Sequence, residues 1–228
     1  MISFENVTKQ FGNHVAVNKV SFSANRGDII GFVGANGAGK TTTMRLLLGY
    51  LFPSSGTITI NSISPQENRV SVTKIVGYLP ENNPLPQDMK VREYIEFIGS
   101  VKHASLSQIK SLIQEIGLDK VLFSKIGNLS RGFKQRVGLI SALIGNPPIF
   151  ILDEPTSGLD PLEQEKIRKL ICRMSKQKIV LFSTHILSEV EEVANRLIII
   201  HEGSIQYDGK KPTGKGAVEK LFKQKVRF

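Results

Sequence analysis

The stretch Asp28-Ile29-Ile30-Gly31-Phe32-Val33-Gly34-Ala35-Asn36-Gly37-Ala38-Gly39-Lys40-Thr41-Thr42 decides the fold. It opens as a short apolar run suited to a buried strand. It then fits the pattern G-x-x-x-x-G-K-[ST] at every specified position from Gly34 to Thr41. Residues Thr41–Gly49 follow with helix composition and carry Met44, Leu46, Leu47 and Leu48. Strand, glycine-rich turn and helix in this order form a cradle for phosphate. Glycines let backbone N–H groups face the anion, and the helix N-terminus adds favourable potential. The pattern assigns Gly34, Asn36, Gly37, Ala38, Gly39 and Thr42 to the cradle. Lys40 is expected on the β- and γ-phosphates and the Thr41 hydroxyl on Mg2+, which makes ATP and Mg2+ the expected ligands.

On either side the chain reads as alternating elements. Residues 2–8 and 15–22 alternate as strands, with turn chemistry at Gly12-Asn13. Pro53-Ser54-Ser55-Gly56 breaks the chain before a short strand at Thr57–Ile60, and another strand is expected over Lys74–Leu79. From Pro84 to Gly145 the spacing turns helical, with Val91–Ile98 and Gln108–Ile116 the clearest segments. In the helix expected after Ser130, the residues Phe133, Val137, Ile140 and Ile144 share a face. Strands at 148–152, 178–183 and 196–201 then alternate with helices at 162–175 and 186–194. The order implies an α/β fold: a RecA-like phosphate-loop core with a mostly parallel sheet, an N-terminal antiparallel β portion and an inserted helical subdomain. We expect a single domain over 1–228, with 1–83 and 146–209 as core, 84–145 as the helical part and 210–228 as a basic tail.

The strand Ile149–Leu152 ends in Asp153-Glu154. Open α/β sheets bind ligands at that edge. Asp153 is placed to hold the Mg2+ shell, and Glu154 to polarise an attacking water as general base.

The formal net charge is +10, with an enrichment from Lys210 to Arg227. That tail reads equally as the solvated face of a terminal helix or as a binding patch, so charge alone selects no partner. No apolar run approaches the ~20 residues needed to span a bilayer. The N-terminal MISFENVTKQF lacks the basic-then-apolar layout of a signal peptide, so the cytoplasm is the expected compartment. The one cysteine, Cys172, excludes an internal disulfide. It is expected to pack in a helix whose apolar face is Ile167, Leu170, Ile171 and Met174.

The order GANGAGKTT at 34–42, LSRGFKQR at 129–136, ILDEPTSGLDP at 151–161 and STH at 183–185 resembles an ATP-binding-cassette (ABC) nucleotide-binding domain. The resemblance runs from about Met1 to about Gly209. It implies a head-to-tail dimer with two ATPs, each held by one chain's phosphate loop and the other's signature. Ser130, Arg131 and Gly132 are then the signature residues facing the partner's ATP, and Ser130 can also cap the helix that starts there. Arg131 and Phe133 stand where the commonest signature has glycine and glutamine, and Phe133 is expected to pack on the helical part. Asp160 falls in the loop that couples the two sites. Locally, Asp160-Pro161-Leu162-Glu163 resembles a capping box. His185 matches the switch histidine at the γ-phosphate, Phe11 the aromatic that stacks on adenine, and Val17 an adenine-site neighbour. Glu81 stands where many relatives have glutamine, so it is expected to reach a metal-bound water with an added negative charge.

GYLPEN at 77–82, the LSRGFKQRV form of the signature and the lack of a long C-terminal regulatory domain resemble separate-chain ATPases of bacterial multidrug, antibiotic and sodium efflux systems. That resemblance implies a second ABC chain as partner, a homodimer being favoured, and an integral membrane permease. The helical part and roughly residues 80–100 would receive the permease, placing the chain on the cytoplasmic face of the membrane. The alternative is a soluble ABC ATPase acting on nucleic acid or ribosomes. Relatives of that kind carry two fused cassettes or a long coiled coil, and this chain has neither, so no nucleic-acid partner is expected.

Overall fold

The computed structural model describes residues 1–226, with the side chain of Met174 left undescribed. Strands β1 (Ile2–Phe11) and β2 (His14–Ala24) form an antiparallel hairpin in which Phe11 lies opposite His14 across the Gly12-Asn13 turn. Strand β3 (Ile29–Val33) leaves this hairpin for another sheet and leads through the glycine loop into helix α1 (Lys40–Leu47). Strand β4 (Ser55–Ile60) returns to pair with β1, completing a three-stranded sheet of order β2-β1-β4. Helix α2 (Arg69–Ile75) precedes β5 (Val76–Leu79). Helices α3 (Val91–Val101), α4 (Leu106–Ile116) and α5 (Arg131–Leu143) follow. The chain then alternates through β6 (Ile149–Asp153), α6 (Pro161–Met174), β7 (Ile179–Thr184), α7 (Leu187–Val193) and β8 (Arg196–His201). It closes with β9 (Ser204–Lys210) and α8 (Ala217–Lys225). The larger sheet has order β5-β6-β7-β3-β8-β9 and is parallel at every pairing but β8 with β9. The expected α/β class, with a mostly parallel sheet beside an antiparallel one, is borne out.

Sequence periodicity explains how the two sheets stack. Every residue of β6 and β7 is buried, as in strands covered on both faces. Their side chains still alternate between two apolar layers. Phe150, Leu152, Val180, Phe182, Leu197 and Ile199 join the layer formed with the helices α3 to α7. Ile149, Ile151, Ile179, Leu181, Ile198 and Ile200 join the layer that contains Met44 and Leu47 of α1 and Phe4 and Phe22 of the small sheet. Each such side chain contributes ~1.5–3 kcal/mol on burial. The tips of β3, β6 and β7 are thereby locked side by side where the phosphate loop begins.

Three expectations need correction. The strand expected over Lys74–Leu79 starts only at Val76, because Lys74 and Ile75 finish α2. Asn68 caps that helix by accepting from the Ser71 N–H at 3.1 Å, and only Val72 is buried, so no helical stripe marks it in the sequence. Strand β9 was not anticipated. It follows a two-residue turn at Glu202-Gly203 with φ of 46° and 75°, and glutamate hides a turn usually announced by Asn-Gly or Asp-Gly. Cys172 is exposed, since the buried face of α6 is taken by Ile167, Leu170 and Ile171 and the cysteine lies off that stripe. Met174, expected on the same face, has its side chain outside the described residues. In the basic tail, α8 docks on α7: Val218 is fully buried and its N–H donates to Glu191 Oε1 at 3.2 Å. Arg227 of that tail lies outside the described residues.

Strand β5 meets α5 at Gly77, where a Cβ would lie 2.1 Å from the Ala142 carbonyl oxygen. Gly77→Ala is expected to cost about 2 kcal/mol and lower Tm by roughly 4–8 °C. A melting curve within 1 °C of the parent's would refute this account of the β5–α5 contact.

Candidate nucleotide-binding and hydrolysis site

The phosphate loop is shaped by its neighbours as much as by its glycines. Gly39 has φ 105°, and a Cβ there would sit 2.5 Å from the Ala16 carbonyl oxygen of β2. The Gly203 N–H donates to the Ala38 carbonyl at 3.1 Å, and the Gly203 carbonyl accepts from Asn18 N–H at 2.8 Å. The β8–β9 turn therefore buttresses the loop. Helix α1 starts without a side-chain cap, whereas α2, α4, α5 and α6 are capped by Asn68, Ser105, Ser130 and Asp160. Helices α7 and α8 also lack a side-chain cap, but only α1 opens from the glycine loop at the floor of a cleft, where its first N–H groups can meet an anion.

A cleft of about 420 Å³ opens over this loop. Of the expected residues, Asn36, Gly37, Gly39, Lys40, Thr41 and Thr42 line its floor, with Phe11, Glu81 and Glu154 around them. Phe11 is 45% exposed, a flat apolar face presented to the cleft, with Lys9 Nζ 4.9 Å from its ring centroid.

The acidic end of the cleft follows from strand register. Parallel pairing of β6 with β7 sets Asp153 beside Ser183. The Ser183 hydroxyl donates to Asp153 Oδ1 at 2.5 Å and accepts from the Glu154 N–H at 2.9 Å. The Thr41 hydroxyl donates to the same Asp153 oxygen at 3.3 Å. Glu154 turns sharply out of the strand with φ 50°. Its Oε1 lies 3.5 Å from Lys40 Nζ and its Oε2 lies 2.9 Å from His185 Nδ1. Lys40 also donates to the Gly34 and Ala35 carbonyls at 2.8 and 3.2 Å. Lysine, glutamate and histidine form one line of contacts that starts in the cleft at Lys40 and Glu154, while His185 and Asp153 lie behind Glu154 and Thr41, outside the cleft lining.

Burial pushes the Asp153 carboxyl above its ordinary value, opposed by the hydrogen bonds from Ser183 and Thr41. Its second oxygen, Oδ2, is buried with no hydrogen-bond partner. A partnerless carboxylate oxygen beside a threonine hydroxyl is a donor set suited to Mg2+, which binds through few protein oxygens and completes its shell with phosphate and water.

A protein-family model described as ABC transporter matches residues 17–157, which include this loop, the capped helix after Ser130 and the acidic strand end. The chain belongs to the ABC transporter family, as one of its ATP-binding, ATP-hydrolysing cassettes. It is 36% identical to the uncharacterized ABC transporter ATP-binding protein YxlF of Bacillus subtilis, over 92% of this chain and 70% of that protein. It is 37% identical to the Nod factor export ATP-binding protein I of Burkholderia lata, over 89% of this chain and 68% of that one. Among solved structures, a dimeric bacterial ABC transporter cassette superposes with TM-score 0.84 at 25% identity, covering 94% of this chain and all of the other.

The other expected residues lie outside the cleft lining. Gly34 and Ala38 shape the loop from beneath: a Cβ on Gly34 would meet the Ile200 carbonyl at 2.5 Å, and Ala38 is buried. Val17 is fully buried in the core layer, and strand alternation turns Ala16 and His14 to the cleft instead. Ser130, Arg131, Gly132 and Asp160 do not line the cleft of their own chain. Ser130 accepts from the Phe133 N–H at 3.4 Å, and Phe133 packs against the helical core layer. Asp160 accepts from the Glu163 N–H at 3.0 Å, with Pro161 opening α6. The reciprocal half of a capping box is not made, because the Glu163 carboxylate goes to Arg136 and Lys166. Sequence reading missed His14, Ala16 and the Ser183 bridge. Ser183 could have been found by pairing the ends of the two apolar strands.

The raised Asp153 gives a prediction whose sign is fixed. Ionising this carboxyl costs more in the fold than in the unfolded chain, so the penalty is absent below the unfolded pKa and fully present above the raised one. The Tm of Asp153→Asn relative to the parent, both nucleotide-free, is expected to rise with pH from the ordinary carboxylate range upward, while the Mg2+ dependence of ATP affinity is lost. A Tm difference that falls as pH rises, read by differential scanning calorimetry, would contradict it.

Proposed function

We propose that two copies of this chain close over two ATP molecules beneath a membrane permease and drive export. The observation that carries the proposal is Glu154 suspended between Lys40 and His185 at the mouth of the phosphate loop. In this reading Phe11 stacks on adenine while the loop N–H groups and Lys40 take the β- and γ-phosphates. Phosphate oxygens then replace Glu154 as the partner of Lys40, and the carboxylate is released to a water. That water attacks the γ-phosphorus. As its oxygen–phosphorus bond forms, Glu154 accepts its proton and the bond to the β-phosphate oxygen breaks. His185 holds Glu154 in line and meets the γ-phosphate. Thr41 and Asp153 would hold Mg2+, with Glu81 at the rim of the cleft as a further oxygen donor, and the ion would supply positive charge against the triphosphate.

The position of the signature supports the dimer. Ser130 and Gly132 open a helix outside their own cleft, and a helix start is an anion site. A head-to-tail pair lets each chain's Ser130, Arg131 and Gly132 complete the other's site, with Asp160 between them. Identical chains suffice for this. The name of the Burkholderia relative supports export, and no helix among the described residues is long and apolar enough to cross a membrane; in this reading a permease supplies the transport path. In this reading the chain sits on the cytoplasmic face of the membrane, bound to its permease.

Glu154→Gln is expected to bind ATP normally, lower kcat by ~10²–10³-fold and accumulate an ATP-dependent dimer on size-exclusion chromatography. An unchanged hydrolysis rate would remove Glu154 as the base. Lys40→Ala and Ser130→Ala chains should each be inactive alone, and mixing them should restore turnover through one intact composite site per mixed dimer. Activity that stays absent on mixing would count against the shared site.

A further inference from the structure

We propose that Glu189 is a positioning residue for hydrolysis, fixing the loop that carries Glu154 against the strand end that carries His185; this rests on the roles assigned above to those two residues. Glu189 lies in α7 and is 1% exposed. Its two carboxylate oxygens are divided between two chain segments. One accepts from the hydroxyl of Thr156, two residues beyond Glu154, in a short contact. The other accepts from the hydroxyl of Thr184, directly before His185, at 2.7 Å. Both threonines are buried, at 2% and 0% exposure. The Thr184 hydroxyl also accepts from the Ile186 N–H at 2.9 Å, so the backbone on both sides of His185 is tied down.

Two physical arguments give this arrangement a purpose. A buried carboxylate is costly unless its oxygens are satisfied, and an apolar residue would pack α7 at lower cost. Among the described residues no cation is paired with Glu189; the charge is spent on two hydroxyls that belong to the two catalytic segments. Glu154 also holds φ 50°, a conformation unfavourable for a glutamate that persists only when its surroundings fix it. Gln135 Nε2 donates to the Pro155 carbonyl at 2.7 Å from one side of that loop, and Glu189 grips Thr156 from the other. What the clamp preserves is the 2.9 Å contact between His185 and Glu154. Glu189 itself does not line the ATP cleft, so its loss should reach kcat and leave ATP binding alone.

The test uses the full chain and four variants. Glu189→Gln leaves one acceptor and puts an N–H2 against a hydroxyl, Thr156→Val removes one donor at constant shape, and Thr156→Ser restores that donor; the fourth combines E189Q with T156V. Steady-state hydrolysis, binding of a fluorescent ATP analogue and Tm are measured on each. E189Q and T156V are expected to lower kcat by ~10–100-fold with KM and analogue affinity within ~3-fold of the parent. T156S should return kcat to within ~3-fold of the parent, and the double variant should fall no more than ~3-fold below the weaker single one. Normal kcat in both single variants overturns the inference. So does a KM rising in step with the loss of kcat, a T156S as defective as T156V, or single losses that multiply in the double variant. Should E189Q fail to fold, the comparison of T156V with T156S at equal Tm decides by itself. Glu154→Gln runs beside them. Retained turnover there brings down the base assignment and this inference with it, whereas lost turnover there with normal T156V and E189Q overturns the clamp alone.

Discussion

The register of β6 against β7 sets Asp153 beside Ser183, and the chemistry at the sheet edge hangs on that pairing. A parallel strand slipped by one residue would send Asp153 to the other face and bring Phe182 against it. The core forbids the slip. Ile149 and Ile151 belong to the layer beneath α1, Phe150 and Leu152 to the layer beneath the helices, and exchanging them would empty both. The packing that stabilises the sheet is therefore the same packing that aligns the serine hydroxyl with Asp153 Oδ1 and the Glu154 N–H.

Such an edge is expensive to hold. Lys40, Asp153, Glu154 and Glu189 are all buried within the same small region. Lys40 is compensated by two loop carbonyls and Glu154, and Glu154 by Lys40 and His185. Glu189 is compensated by two threonines. Asp153 keeps one oxygen without a partner, and burial holds its carboxyl above its ordinary value. Local rules of satisfaction are met everywhere at this edge except at the oxygen that suits a cation, which is where a functional site is expected to break them.

The parts legible in the sequence are those whose physics is local. The glycine loop, the acidic end of an apolar strand and the Ser130 and Asp160 caps each sit within a few residues of the partner they need. Helix α2 was obscured because Val70, Val72 and Thr73 are β-branched and only one of its residues is buried. Val17 was misplaced by one position, and in a strand one position is the difference between cleft and core. Glu189 was invisible for a different reason. In Leu187-Ser188-Glu189-Val190-Glu191-Glu192 it reads as one more acid on a solvated helix, and its partner Thr156 lies 33 residues away. Ser130 and Gly132 read as a plain helix start until the motifs on either side are taken together.

The same loop that holds Glu154 is bound to the signature helix. Gln135 of α5 donates to the Pro155 carbonyl, and Arg136 pairs with Glu163 at the start of α6. The Arg131 guanidinium lies across Gly158, where a Cβ would come within 2.1 Å of its central carbon. These ties enter α5 within its first two turns, beside Ser130. A helix of this length moves as one body, so the loop beyond Glu154 cannot shift without either carrying Ser130 along or breaking buried hydrogen bonds at ~1–3 kcal/mol each. The segment that serves the chain's own cleft and the segment outside it are for that reason one mechanical unit. A change in Glu154's surroundings is felt at the face where a second chain would sit.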